Sequence, residues 1–298
     1  MAQGYDIAFL GHYTKDTIVS SSGVRVVNGG AFNYGSHVAA RMGLRVAAIT
    51  RLAAEDMGVA DELRVLNVDT FVQVTPQSTC LRLVYPSSNV DERVIHITSS
   101  AGPFTPEEVS EIQARAFVIG ASLRGEVSLR VIEEIARKDT RIAIDAQGFV
   151  RVVRDGILVA EPWAEKQAVL AHVDILKADA VEAELLTGER DIHVAARMLA
   201  NLGPTEIVLT HRDGLLVYAD GRYYEAGFFP AQLVGRSGRG DTCIASYVSR
   251  RLTHSPAEAT VWAAAVTSLK MEAEGPFRRS LKEVEDLIQK RYTIGGKG

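Results

Sequence analysis

Residues 235–252 read GRSGRGDTCIASYVSRRL, three glycines and an aspartate ahead of a stretch whose apolar spacing continues as a helix to Leu252. Glycines before a helix expose backbone N–H groups, and with the helix dipole they make an anion site. Gly235 and Gly240 have the spacing of a phosphate-binding P-loop, but Asp241 stands where that motif needs its lysine. Nor does a further glycine complete a dinucleotide fingerprint. An acid beside an anion cradle has a use if the cradle holds a phosphoryl group in flight. Asp241 then accepts the proton of an attacking alcohol, and the dipole favours its ionised form at neutral pH. The segment fits equally a glycine-rich turn in which Asp241 only stabilises a helix amino terminus.

Outward from this loop, short apolar runs alternate with helical patterns, the signature of βα units around a mostly parallel sheet. The runs are Asp6 to Leu10, Arg45 to Ile49, Ala116 to Ile119, Arg141 to Ile144, Val173 to Leu176 and Glu206 to Leu209. Helix starts are predicted at Thr105-Pro106-Glu107-Glu108 and Ser255-Pro256-Ala257-Glu258, each a cap, a first-turn proline and a glutamate at the third position. Residues 14–28 and 70–98 lack helical periodicity and read as strands of a small antiparallel lid inserted in one domain spanning residues 1–298. The fold class is α/β.

Composition narrows the function. Lys plus Arg number 33 and Asp plus Glu 37, a net charge of −4 with both signs dispersed, so no basic field awaits a nucleic acid. Hydrophobic residues are 47% and charged residues 23%, as in packed globular proteins. No run approaches membrane-spanning length, the amino terminus does not read as a secretory signal, and Cys80 and Cys243 are too few for a disulfide framework. A cytoplasmic protein with reduced thiols and no membrane partner is expected.

In open parallel sheets ligands lie beyond the carboxyl ends of the strands. Asp145 and Gln147, Lys177 and Asp179, and Thr210 and His211 follow three of the runs. Asp16 follows the first and can accept hydrogen bonds from ligand hydroxyls, and Gly29-Gly30 permits a close backbone approach at the start of a helix. Asp179 and Glu182 lie three apart at a helix start, a spacing that suits a capping box better than a magnesium shell. The seven histidines form no zinc pattern, Arg124 breaks the nucleophile elbow begun at Gly120-Ala121-Ser122, and Cys243 reads as a small buried residue.

With these residues in order, the chain resembles the ribokinase-like PfkB carbohydrate kinases from Ile7 to about Pro276. The resemblance rests on Gly11 and Asp16, Gly29-Gly30 with Arg41-Met42-Gly43, Leu176 to Ala183, and Gly238-Arg239-Gly240-Asp241-Thr242. It implies a three-layer fold and phosphoryl transfer from ATP with Mg2+. Asp241 is then the catalytic base and Gly238, Arg239 and Gly240 form the anion hole. Asp16, Gly29, Gly30, Asn33 and Gln147 are expected at the acceptor, Lys177, Asp179 and Thr210 at the nucleotide, and Glu182 at the metal.

Gly11 to Asp16, Asp145 to Arg151 and Gly235 to Cys243 look most like the myo-inositol kinase branch, so a cyclitol is the expected acceptor. A nucleoside or sugar kinase of the same fold, or a catalytically silent sugar-binding protein, are the rival readings. A homodimer through the lid is also expected. Arg239 replaces a small anion-hole residue, Gly235 the aspartate that opens that motif, and Asp179 an asparagine. Thr210-His211-Arg212-Asp213-Gly214 shortens the nucleotide-side motif.

Overall fold

Alternate residues of the first apolar run turn to opposite sides, Ile7 and Phe9 into one buried cluster and Ala8 and Leu10 into another. Such a strand must lie in a sheet covered on both faces. The computed structural model describes residues 4–21, 23–86, 93–235 and 237–292. The chain begins with β1 (Tyr5–Leu10), β2 (Thr14–Ser20), β3 (Gly23–Gly29), α1 (Ala31–Arg41), β4 (Val46–Ala53), α2 (Gly58–Val65), β5 (Asp69–Thr75), β6 (Thr79–Val84) and β7 (Val94–Ser99). Then come α3 (Glu107–Ser110), β8 (Ala114–Ile119), α4 (Leu129–Ala136), β9 (Arg141–Asp145), α5 (Gln147–Val150), β10 (Arg151–Arg154), β11 (Ile157–Ala160), α6 (Lys166–Leu170) and β12 (Ile175–Asp179). The remainder is α7 (Ala180–Thr187), α8 (Ile192–Ala200), β13 (Glu206–Thr210), β14 (Gly214–Ala219), β15 (Arg222–Gly227), α9 (Arg239–Arg251), α10 (Pro256–Met271) and α11 (Leu281–Arg291).

Nine strands form the main sheet in the order β15-β14-β13-β12-β9-β8-β1-β4-β5. All neighbours pair in parallel except at β13–β14 and β14–β15. Helices α1, α2, α9, α10 and α11 pack on one face and α3, α4, α6, α7 and α8 on the other. Each of the six apolar runs of the sequence falls on a strand of this sheet, the runs from Arg45 and Val173 starting one and two residues ahead of β4 and β12. This is an α/β architecture with a second, smaller sheet, and no helix among the described residues is long and apolar enough to cross a membrane.

The smaller sheet runs β10-β11-β7-β6-β2-β3, antiparallel throughout save for the parallel pair β2–β6. Its boundaries correct the expected lid. Asp69–Thr75 leaves the lid to become the edge of the main sheet, because β4 offers it a full parallel register from Ala47 to Ala53. The hairpin β10–β11 joins the lid instead, through Ile157 opposite His96. Residues 22 and 87–92 of the expected lid, and Arg236 of the glycine loop, lie outside the described residues.

The two proline-marked helix starts differ in outcome. Ser255 and Glu258 form the full capping box of the long α10. At Thr105 only half the box exists, Glu108 accepting the Thr105 N–H at 2.7 Å, and α3 has only 4 residues.

Candidate active site

The strand order reverses at β1: the chain adds β4 and β5 on one side of it, then β8, β9, β12 and β13 on the other. A crevice opens beyond the carboxyl ends of the strands at such a reversal. Here it forms two connected cavities. The inner chamber, about 80 Å³, is lined from below by Gly30, Gly120 to Ser122, Gln147 and Asp241, and from the lid by Asp16, Leu81, Leu83 and Ile95. The outer cavity, about 380 Å³, is bounded by Lys177 and Asp179 at the end of β12, Thr210 to Arg212 after β13, and Ser237 to Asp241. Arg93, Gln147, Arg151, Ser237, Gly238 and Asp241 line both.

Asp241 stands in the first turn of α9, at the junction of the cavities. Burial and the neighbouring Asp145 raise its pKa to about 6 against the opposing charges of Lys177 and Arg151. The dipole therefore does not dominate, but at neutral pH the group is still ionised and close to the range that suits a general base. The helix is preceded by Gly238, with φ +74 and a missing Cβ that would lie 2.3 Å from the Tyr34 ring, so only glycine fits. Lys270, buried in α10, donates to the carbonyls of Gly235 and Ser237 and fixes the loop from behind. Burial pushes its pKa down to about 8.

Under the loop, Lys177 Nζ meets Asp145 Oδ2 at 2.8 Å, both side chains buried. Burial works against the lysine's charge, but Asp145, Glu182 and Asp179 outweigh it and hold Lys177 protonated. Asp16 lies across the inner chamber with Oδ1 buried and without a partner among the described residues. Burial raises its pKa to about 6, with Thr14, Arg93 and Arg151 opposing. Gly29 makes room for it, since a Cβ there would lie 2.7 Å from Asp16 Oδ2.

The structure thus brings Asp16, Gly30, Gln147, Gly238 and Asp241 to the inner chamber, and Lys177, Asp179, Thr210, Arg239 and Gly240 to the outer one. Two expectations need correction. Asn33 is buried off the chamber, its Nδ2 donating to the Asn28 carbonyl at 3.1 Å. Glu182 does not line the outer cavity: it accepts the Asp179 N–H at 2.8 Å while Asp179 Oδ1 accepts the Glu182 N–H at 2.8 Å, a complete capping box. Among the described residues no cluster of three metal-ligating side chains occurs. The carboxylate that faces the cavity at this edge is Asp179, which suits a magnesium ion held mainly by phosphate oxygens and water.

Sequence reading missed Arg93, Arg151 and Arg212 as site residues. Arg93 precedes a lid strand and Arg151 begins another, where an arginine passes for a solvated surface residue. With Lys177 and Arg239 they bring five Lys or Arg residues to the outer cavity against the carboxylates of Asp179 and Asp241.

A pyrophosphate-dependent kinase of the ribokinase family, solved with a pyrophosphate analog and myo-inositol, superposes with a TM-score of 0.86 at 34% identity, covering 94% of this chain and 99% of that one. A cytidine kinase of Thermococcus kodakarensis is 25% identical over 267 residues, 86% of this chain and 92% of its own. An inositol 3-kinase of Oryza sativa subsp. japonica is 27% identical over 173 residues, 55% of this chain and 40% of its own. Residues 4–280 match the model of the pfkB family carbohydrate kinases, and the chain belongs to that family.

Proposed function

We propose that this kinase phosphorylates a hydroxyl of myo-inositol with inorganic pyrophosphate as donor, in place of the ATP expected from the sequence. The observation that carries the donor is the outer cavity, where Arg93, Arg151, Lys177, Arg212 and Arg239 surround a space open to a compact polyanion. ATP carries phosphate charge too, but its uncharged adenosine would meet a lining whose apolar side chains are Ala180 and Val181, whereas pyrophosphate presents anionic oxygens on both phosphorus atoms and nothing else. The kinship with a pyrophosphate-dependent kinase supports the same donor. Polar groups from Asp16, Gln147 and Ser122 beside the apolar Leu81, Leu83 and Ile95 suit a cyclitol ring, whose rim hydroxyls meet the polar groups while a face of C–H bonds lies against the apolar side chains.

In the reaction the acceptor hydroxyl lies beside Asp241, which takes its proton as the oxygen attacks the near phosphorus. The bond to the bridging oxygen breaks and the far phosphate departs into the outer cavity. Backbone N–H groups at the start of α9, with Arg239 and Arg151, offset the charge on the phosphoryl oxygens in flight. Asp16 orients the ring by accepting from its hydroxyls. Magnesium, when bound with the donor at Asp179, supplies further charge neutralisation.

The test is a turnover assay with magnesium, crossing pyrophosphate and ATP against myo-inositol, ribose, fructose and cytidine. Pyrophosphate with myo-inositol should exceed ATP with myo-inositol by ~10²-fold or more in kcat/KM. Equal or better use of ATP overturns the donor, and preference for cytidine overturns the acceptor.

A further inference from the structure

Three chain segments meet beneath the inner chamber with glycine at each contact. The Cβ absent from Gly11 would lie 2.5 Å from the Gly120 carbonyl oxygen, that of Gly120 2.0 Å from Ala31 Cβ, and that of Gly30 2.1 Å from the His12 carbonyl oxygen. Gly11 and Gly30 pack on backbone and Gly120 on the Ala31 methyl, so the three glycines have no side chains with which to fix their own spacing. The Gly120 N–H donates to the Leu10 carbonyl at 2.9 Å, the last bond in the pattern of the sheet. One step further along both segments the tie passes to Glu126.

Glu126 Oε1 accepts the His12 N–H at 2.8 Å and Oε2 accepts the Ser122 N–H at 2.7 Å. The residue is 3% exposed, so these charge-assisted bonds face little competition from water. A carboxylate can accept at both oxygens, whereas an amide would turn N–H groups toward one of the two backbone donors. The contact also reaches the lid. His12 Nδ1 lies 3.5 Å from Glu126 Oε2 and 2.8 Å from Oγ1 of Thr79, the first residue of β6, which also accepts the Ala101 N–H at 3.0 Å. From Thr79, β6 leads to Leu81 and Leu83 in the chamber roof.

We infer that Glu126 is a positioning residue for the acceptor: it clasps the turn after β1 to the loop after β8 and, through His12 and Thr79, sets the lid root against the chamber floor. The inference rests on the inner chamber being the acceptor site. Glu126 touches neither cavity, so its loss acts through Ser122 and the start of β2. A floor displaced by even a fraction of an ångström misaligns the acceptor hydroxyl while leaving the outer cavity intact.

The experiment is Glu126→Gln, read by acceptor and donor KM separately and by amide hydrogen exchange. We expect acceptor KM to rise ~10-fold or more, donor KM to stay within about twofold, and exchange at His12 and Ser122 to accelerate together. A parallel rise in both KM values, or neither, overturns the proposal. In the parent, His12 and Ser122 amides that exchange as fast as those of exposed loops overturn it too, even where the variant fails to fold. A parent that turns over none of the acceptors refutes the kinase reading, whereas the exchange measurement still reports on the clasp itself.

Discussion

Gly240 lies directly over the Lys177–Asp145 ion pair: a Cβ on the glycine would stand 2.8 Å from Lys177 Nζ and 3.5 Å from Asp145 Oδ2. The backbone that lines the outer cavity therefore rests on a buried pair whose charges also bear on Asp241. Gly240→Ala should displace the lysine and shift the first turn of α9. Turnover should fall ~10- to 10²-fold with the fold retained, as checked by steady-state kinetics and circular dichroism.

Asp241→Asn should abolish turnover, by ~10³-fold or more, yet raise thermal stability. A carboxyl whose folded-state pKa of about 6 exceeds its ordinary value of 3.8 binds its proton more tightly when folded. Its charge therefore costs stability in full above about pH 6 and nothing below pH 3.8. Removing it at pH 7 should contribute on the order of 3 kcal/mol, seen as a higher Tm in calorimetry. An unchanged Tm at pH 7 would contradict the burial argument.

The acid limb of log kcat/KM for the acceptor should be steeper than first order around pH 6, because Asp16 and Asp241 both titrate there and both must be ionised. Asp16→Asn should flatten the limb toward a slope of one while raising acceptor KM by ~10²-fold. Donor KM should change little. A pH–rate series on the two proteins decides it.

Glu182→Ala should cost about 1 kcal/mol of stability through loss of the capping box at α7. Glu182→Gln can still accept the Asp179 N–H, so it isolates the charge. Its magnesium titration should match the parent if the cap is the residue's main role; a higher magnesium requirement would restore it to the metal.

Arg239→Ala leaves the α9 backbone donors in place and should lower turnover by roughly 10- to 10³-fold without comparable loss of stability. Arg239→Lys should recover only part, since a point charge cannot reproduce a bidentate fork. Rapid-quench measurement of the chemical step distinguishes this from slower product release.

The main sheet was legible because its strands are buried on both faces, so β1, β8 and β13 stand out as uninterrupted apolar runs. The glycine loop and Asp241 were legible because acid and glycines share one short segment. The hairpin β10–β11 was not read, although Asp155-Gly156, both at positive φ, is the turn that such a hairpin demands. Asp220-Gly221 marks β14–β15 in the same way. Arg93 and Arg151 escaped for a different reason: only the folding of lid strands over the sheet edge brings them together. Glu126 carried no signal at all, its partners being backbone N–H groups that every residue possesses.

Outside the shared glycine loop, the residues special to each cavity come from different stretches of chain: among them Thr14, Asp16, Leu81, Leu83 and Ile95 on one side, Lys177, Asp179 to Val181 and Thr210 to Arg212 on the other. Substitutions in one stretch leave the other untouched. On the proposed assignment of the two cavities, a lineage could exchange its source of phosphate while keeping its alcohol, or the reverse, by local drift in a few codons. Gln147, Arg151 and Asp241, common to both spaces, are where such a history would be unable to wander.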